Sequence, residues 1–227
     1  MENNDQNHCR RCGTCCEKGG PTLHRDDLPL VEKGTIPLKD LYTIRKGEMV
    51  MDPAHEEPIP ATEELVKIRG RGGEWRCRYL EEKGCVCQIY DHRPEECRAQ
   101  KCWDTTEIEV VYPKDRISRE DLLSGVSGLW ELVQEHEQRC SYLQFEALAR
   151  RIDTVDADDA GSLVTEMIAY DGHLRELVCG QGKMDPEILN FLFGRPMTET
   201  IHGFGLAVEK DGDRIILKPA SSGQPVP

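Results

Sequence analysis

The sequence predicts an α+β protein, in which a small cysteine-rich domain of short strands and loops precedes a mostly helical extension ending in a β-hairpin. Three observations lead there. Nine of the eleven cysteines fall within the first 102 residues, among short apolar runs broken by Gly and Pro. From Ser118 onward apolar residues recur at helical spacing, as in Leu122, Leu123, Val126, Leu129, Trp130 and Val133. Near the end, Phe204–Glu209 and Arg214–Leu217 flank Asp211-Gly212, a turn pair suited to a hairpin. The implied divisions are 9–103, 104–218 and a flexible tail over 219–227.

Taken in order, residues 1–8 are polar and read as disordered, and residues 9–20 as a Cys/Gly-rich loop. Pro21 to His24 suits a short strand. Asp26 or Asp27 caps a helix over Leu28 to Lys33, which Gly34 ends. Tyr42–Arg45 and Glu48–Met51, around Lys46-Gly47, predict a hairpin. Pro53, Pro58 and Pro60 make 52–62 a loop. Leu65–Ile68 and Trp75–Leu80 predict two strands joined by a Gly70-Arg71-Gly72-Gly73 turn. A Lys83-Gly84 turn leads into an extended or looped Val86–Tyr90. Arg93 precedes a proline and should be extended. Glu95–Gln100 predicts a helical turn with Pro94 at its first position. Thr105–Tyr112 predicts a strand. Ser118, with Asp121 three residues on, caps a helix that continues to about Arg151. Asp156, Asp158 and Asp159 mark a break before a helix over Gly161 to Val178. Asp185-Pro186 opens a short helix over Glu187 to Phe193, ended by Gly194.

Composition narrows the function classes. The net charge is −13, from 42 acidic and 29 basic residues, so the basic footprint of a nucleic-acid binder is missing. Apolar content is 38% and mean hydropathy −0.58, low for a well-packed globule of 227 residues. Metal–thiolate bonds can replace some of the missing apolar burial. No apolar run approaches the roughly 18 residues of a membrane helix, and the polar start lacks the apolar core of a secretion signal. The expected compartment is the cytoplasm, where eleven cysteines serve as thiols or metal ligands rather than disulfides.

The cysteines fall in two groups. Cys9, Cys12, Cys15 and Cys16 occupy eight residues, and Cys77, Cys85, Cys87, Cys97 and Cys102 follow about sixty residues later. Thiolates select zinc, Cu(I) and iron–sulfur clusters. Zinc ribbons pair two C-x2-C arms, whereas C-x2-C-x2-C is how a bacterial ferredoxin run begins. Here the C-x3-C-P ending is absent and Cys16 adjoins Cys15, so the two can point to different sites. Arg10, Arg11, Lys18, Arg76, Arg78, Arg93, Arg98 and Lys101 crowd the cysteines of an otherwise acidic chain, as an anionic metal–thiolate site requires. Cys140 and Cys179 lie on predicted helices and read as buried small hydrophobes. His8 and His92 adjoin Cys9 and Arg93; a solvated loop histidine is the simpler reading for each. No dinucleotide, Walker A, H-E-x-x-H or G-x-S-x-G pattern occurs.

The two groups together resemble a known family. C-x2-C-x2-C-C, then C-x-[FY]-L, then C-x-I-Y-x-x-R-P-x-x-C-R with a further cysteine, is similar to the YkgJ-type cysteine-cluster proteins, also called the CxxCxxCC family of zinc- or iron-chelating domains. Cys9, Cys12, Gly13, Cys15, Cys16, Cys77, Tyr79, Leu80, Cys87, Ile89, Tyr90, Arg93, Pro94, Cys97, Arg98 and Cys102 carry the likeness over about residues 9–103. Cys85 is extra to the pattern, and residues 104–227 lie outside it. The resemblance implies metal held by Cys9, Cys12, Cys15, Cys16, Cys77, Cys87, Cys97 and Cys102, in one site or two. Some members resemble flagellin lysine methylases, where the cysteine domain accompanies a SAM-dependent activity. No SAM motif is present here, so that activity is not carried over.

Three functional readings follow. The first is a metal-binding protein with an iron–sulfur cluster, such as 4Fe–4S, favoured over zinc, in a structural or electron-carrying role. Cys12, Cys15, Cys87 and Cys97 are the leading ligands, with Arg93 and Arg98 offsetting thiolate charge. The second is a methyltransferase-like or redox enzyme that uses the cysteine domain as an accessory. The third is a metal-handling or interaction module whose protein partner docks on the acidic helices of 118–180. None involves nucleic acid or membrane.

Overall fold

A computed structural model describes residues 7–51, 57–72, 74–81, 85–152, 157–212 and 214–220. In chain order the elements are α1 (Thr14–Glu17), α2 (Leu28–Glu32), β1 (Leu41–Ile44), β2 (Met49–Met51), β3 (Pro58–Pro60), β4 (Leu65–Ile68), α3 (Glu95–Ala99), α4 (Thr106–Val111), α5 (Arg119–Leu123), α6 (Leu129–Arg139), α7 (Tyr142–Ala149), α8 (Ala157–Gly180), α9 (Leu189–Leu192), α10 (Met197–Thr200), β5 (Leu206–Asp211) and β6 (Arg214–Pro219). Short 3₁₀ turns occur at Arg25–Asp27, Leu38–Asp40, Tyr90–His92, Pro186–Ile188 and Ile201–Phe204. The class is α+β, as expected, with an N-terminal cysteine-rich part and a C-terminal hairpin. The strands pair as β1-β4, β2-β3 and β5-β6. No helix among the described residues is long and apolar enough to cross a membrane.

The chain divides into two compact units. One comprises 1–42 and 65–122, the other 43–64 and 123–227. The first is built from single bridges rather than broad sheets. Thr22 pairs with Lys67, which brings the segment after the first cysteines alongside β4, and His24 pairs with Arg116. Gly20 is needed there, because a Cβ at that position would lie 2.1 Å from the Ile68 carbonyl oxygen. Leu23, Ile36, Leu41, Val66, Ile68, Leu80 and Ile117 are buried in this unit.

The second unit has an apolar core of its own. Cys140, Tyr142, Phe145, Val164, Met167, Ile168, Met197, Ile201 and Leu206 form its buried cluster. Hairpin β5-β6 pairs Leu206 with Pro219 through Asp211 with Arg214, as its turn residues predict. Beside the core lies a buried charged network. Asp171 accepts from His136 Nε2 at 2.8 Å, Arg175 Nε at 3.0 Å and the Met197 amide at 3.0 Å. Arg45, fully buried, donates to His136 Nδ1 at 3.2 Å, to Glu137 at 3.2 Å and to the Cys140 carbonyl at 3.0 Å. Glu48 pairs with Arg195. A guanidinium can only donate, so His136 must accept at Nδ1 and carry its proton at Nε2, toward Asp171. The ring is therefore neutral.

Several local expectations differ from the structure. Residues 9–20 contain a helical turn, α1, not only loop. The predicted 42–51 hairpin does not form: β1 pairs with β4, and β2 with β3, in the register Met49↔Pro60 and Met51↔Pro58. Pro58 and Pro60 thus sit in a strand inside the predicted loop, at an edge where no proline N–H is needed. Trp75–Leu80 is not a strand; only single bridges, Gly70↔Cys77 and Leu80↔Cys87, tie it. Thr105–Tyr112 is helix α4, not strand. Its alternation is overridden by Asp104, whose carboxylate accepts the Thr106 amide at 3.0 Å, and by acidic residues in the first turn. The single helix from Ser118 to Arg151 is three, interrupted around Gly125–Gly128 and at Cys140-Ser141. Its start is as expected, since Asp121 accepts both the Ser118 amide and hydroxyl. Pro94 precedes α3 as its cap rather than opening it, and Arg93 is extended. The Lys83-Gly84 turn, Gly73, Pro53, Asp156 and residues 221–227 of the tail lie outside the described residues.

Two outcomes test the charged network. Asp171→Ala leaves three buried donors uncompensated and should cost about 3–5 kcal/mol, read as a lower denaturant midpoint for the C-terminal unit. Burial holds the His136 pKa below its ordinary value, with the Arg45 charge adding to it and Asp171 opposing. The unfolded chain then takes up a proton near pH 6.5 that the folded chain refuses, so stability falls as pH drops below about 6.5. His136→Gln should flatten the change in unfolding free energy between about pH 7 and 5 relative to wild type; an unchanged slope contradicts the assignment.

Candidate metal centre

The first thiols are set by a tight turn. Gly13 has φ 79, and a Cβ on it would meet the Cys85 Cβ at 3.1 Å and Sγ at 3.3 Å. Only glycine fits both the backbone and the space. It opens α1, which carries Cys15 and Cys16. The Cys16 carbonyl then accepts the Cys77 amide at 2.8 Å, and this bond joins the two cysteine groups. Beyond Cys77, Asp40 fixes the chain: Tyr79 donates to its Oδ2 at 2.5 Å and Arg78 Nε lies 3.0 Å from its Oδ1. Cys87 is bridged back through Leu80.

Cys97 rides on α3, and buried polar groups dock that helix. Glu96 accepts the Thr22 amide at 2.8 Å and meets His24 Nε2 at 3.3 Å. Asp27 accepts the Glu95 amide at 2.9 Å and the His24 amide at 3.0 Å. His24 Nδ1 donates to the Lys114 carbonyl at 2.6 Å. Burial opposes charging of His24, but Glu96 and that carbonyl outweigh it and hold its pKa above the ordinary value. None of these residues stood out in the sequence beyond Asp27 as a helix cap. Their partners lie 68 to 90 residues away, so no local spacing marks them.

The thiols act on one another unequally. The charges of Cys15, Cys77, Cys87 and Cys97 act on one another, and Cys16 feels Cys15, Cys77 and Cys97. The Cys16 thiol hydrogen-bonds Cys15, lowering Cys15 to about 6 and pushing Cys16 up. Burial pushes up Cys77, Cys87 and Cys97. Arg93 favours the thiolate at Cys15 and at Cys87. Burial lowers Lys67, whose charge reaches Glu96 and Cys97. Cys12 is at the margin, its thiol lowered by Thr14 and touched by the field of Cys15. Cys9 and Cys102 are exposed, and Cys85 packs over Gly13. Arg98 faces the Arg93 carbonyl and Asp27 rather than a thiolate. Cys140 is a core thiol pushed up to about 12 by burial, and Cys179 is half-buried.

Among the described residues no three Cys, His, Asp or Glu side chains are grouped as a formed metal cage. The donor chemistry nevertheless suits a soft metal. Cys15, Cys77, Cys87 and Cys97 lie within one another's fields, and Cys16 within those of Cys15, Cys77 and Cys97. Arg76 and Arg93, which flank Cys77 in sequence and Cys15 and Cys87 in space, each bury an Nε with no hydrogen-bond partner. Such orphaned donors are costly unless something anionic accepts from them. A metal–thiolate centre supplies that acceptor.

Residues 8–115 match the model of the CxxCxxCC family, described as a "Putative zinc- or iron-chelating domain". The match spans both cysteine groups and supports a metal-binding role for this part of the chain. Neither a curated protein nor a solved structure matches the chain.

Thiol reactivity checks this geometry without metal. In metal-stripped, reduced, full-length protein at pH 7, iodoacetamide should label Cys15 well before Cys97, because thiolate fraction sets the rate. Site-resolved mass spectrometry reads the order; Cys97 labelling as fast as Cys15 contradicts the burial described.

Proposed function

Because residues 8–115 match a zinc- or iron-chelating family, we propose that they bind metal through thiolates drawn from both cysteine groups, as an iron–sulfur centre. The observation that carries this reading is the mutual coupling of Cys15, Cys77, Cys87 and Cys97, from positions about sixty to eighty residues apart. These four are the proposed ligands, with Cys16 as the adjoining fifth thiol. Cys12 stands at the edge of the site, and Cys9 and Cys102 are the eight-cysteine set's outermost members. When bound, an iron–sulfur cluster supplies one-electron chemistry and a covalent staple for a unit with little regular structure.

The residues around the thiols have separate tasks. Asp27 and Glu96 hold α3, and so Cys97, against the segment after Cys16. Asp40 holds the turn after Cys77. Arg93 offsets thiolate charge, which favours deprotonated ligands and a more readily reduced centre. The proposed place of work is the cytoplasm, where reduced thiols persist.

Anaerobic purification tests the reading. The full-length protein should carry iron and sulfide and show a broad visible charge-transfer band. Cys97→Ser and Cys77→Ser should lose most of the metal, whereas Cys102→Ser should retain it. Colourless protein with stoichiometric zinc replaces the cluster but keeps the ligand set. Protein with neither metal, or Cys97→Ser with unchanged metal content, overturns the proposal.

A further inference from the structure

Tyr90 carries two cations. The Arg11 guanidinium carbon lies 3.8 Å from its ring centroid and that of Arg93 lies 3.7 Å away. One ring face cannot hold two guanidiniums at that height, so the ring is sandwiched between them. Two like charges sharing one ring is an unfavourable arrangement unless negative charge lies nearby. Thiolates of the flanking cysteine segments would provide it.

The backbone on the Arg11 side is strained. Arg11 has φ 53, in the left-handed region that a non-glycine residue seldom occupies. Its amide donates to Cys9 Sγ at 3.4 Å, and Gly13 two residues on is also left-handed. On the other side Arg93 is extended ahead of Pro94, which sends its guanidinium back over the ring that opens the 3₁₀ turn Tyr90–His92. The stack therefore ties the loop before Cys12 to the segment between Cys87 and Cys97. It is the side-chain counterpart of the Cys16–Cys77 backbone bond.

We propose that Tyr90 is a positioning residue of the metal centre, latching the N-terminal thiol loop to the segment between Cys87 and Cys97 through its contacts with Arg11 and Arg93. The idea rests on the metal-binding reading above. It assigns Tyr90 and Arg11 to metal retention, not to ligation. The ring matters and the hydroxyl does not. Arg11 acts through its contact with Tyr90, so removing both should do no more than removing Tyr90.

The test uses full-length protein loaded with its metal. Release to an excess of chelator is followed in wild type, Tyr90→Phe, Tyr90→Leu, Arg11→Ala and the Arg11→Ala/Tyr90→Leu double variant. Tyr90→Phe should release at the wild-type rate. Tyr90→Leu and Arg11→Ala should each release about two- to fivefold faster, the range expected for an exposed cation–π contact, and the double variant no faster than Tyr90→Leu. Unchanged release in both single variants, or additive effects in the double, overturns the latch. Arg11→Ala alters an exposed side chain and keeps the test open where Tyr90→Leu does not fold. A metal-free arm separates this proposal from the one it rests on. In metal-stripped protein, trypsin cleavage after Arg11, relative to cleavage after the neighbouring Arg10, should rise in Tyr90→Leu but not in Tyr90→Phe. A raised ratio supports the latch even where wild type binds neither iron nor zinc, which would sink the metal reading alone. An unchanged ratio overturns the latch.

Discussion

Two buried carboxylates, Asp27 and Glu96, organise the N-terminal unit. Asp27 takes one backbone amide from the segment after the first cysteines and one from the start of α3. Glu96 takes the Thr22 amide and faces His24. Each carboxylate is buried and each is satisfied by donors that only the folded chain provides, so each acts as a specific clamp between distant segments. The clamp holds α3, which carries Cys97, against the segment that follows Cys16. Sheets do little of this work. The unit has single bridges where larger domains have ladders, and an apolar content of 38% leaves modest burial to share. A thiol site assembled this way gains cohesion when metal binds, since metal–ligand bonds form between segments that polar contacts have already aligned.

The C-terminal unit follows a different logic. It buries Arg45, Glu48, His136, Asp171, Arg175 and Arg195 beside an aromatic and aliphatic core. Buried charges are costly singly and more tolerable in a network, and here Asp171 is shared by His136 and Arg175 while Glu48 meets Arg195, although the Arg45 Nε has no hydrogen-bond partner. The two buried histidines also respond oppositely to acid. His24 gains a proton more readily than usual and His136 less readily. Stability contributed through His24 is present below pH 6.5 and is lost as pH rises past its raised pKa, whereas that through His136 is lost on the acid side. The units should therefore differ in their pH response.

A metal-binding role was legible because its signal is chemical, and the family match over residues 8–115 supports it. Thiols in two dense groups, with arginines among them, point to a soft anionic site whatever the fold. The α+β class and the terminal hairpin were legible through turn residues and helical spacing. Errors fell where nonlocal partners or caps overrode local pattern. Thr105–Tyr112 alternates like a strand, yet Asp104 takes the Thr106 amide just ahead of a helix with acidic residues in its first turn. Glu48–Met51 reads as half of a hairpin, yet β2 pairs with a proline-bearing strand instead. His24 and Glu96 were invisible for the same reason: their meaning is a contact across 72 residues. Cys12 and Cys15, both ranked high by spacing, are exposed, whereas Cys77 is buried.

The central claim is that one all-sulfur shell is drawn from both cysteine groups. X-ray absorption at the metal edge of the anaerobically purified full-length protein tests it most directly. A first shell of about four sulfurs near 2.3 Å is the predicted result, with metal–metal scattering added for a cluster. A shell dominated by nitrogen or oxygen would contradict the account.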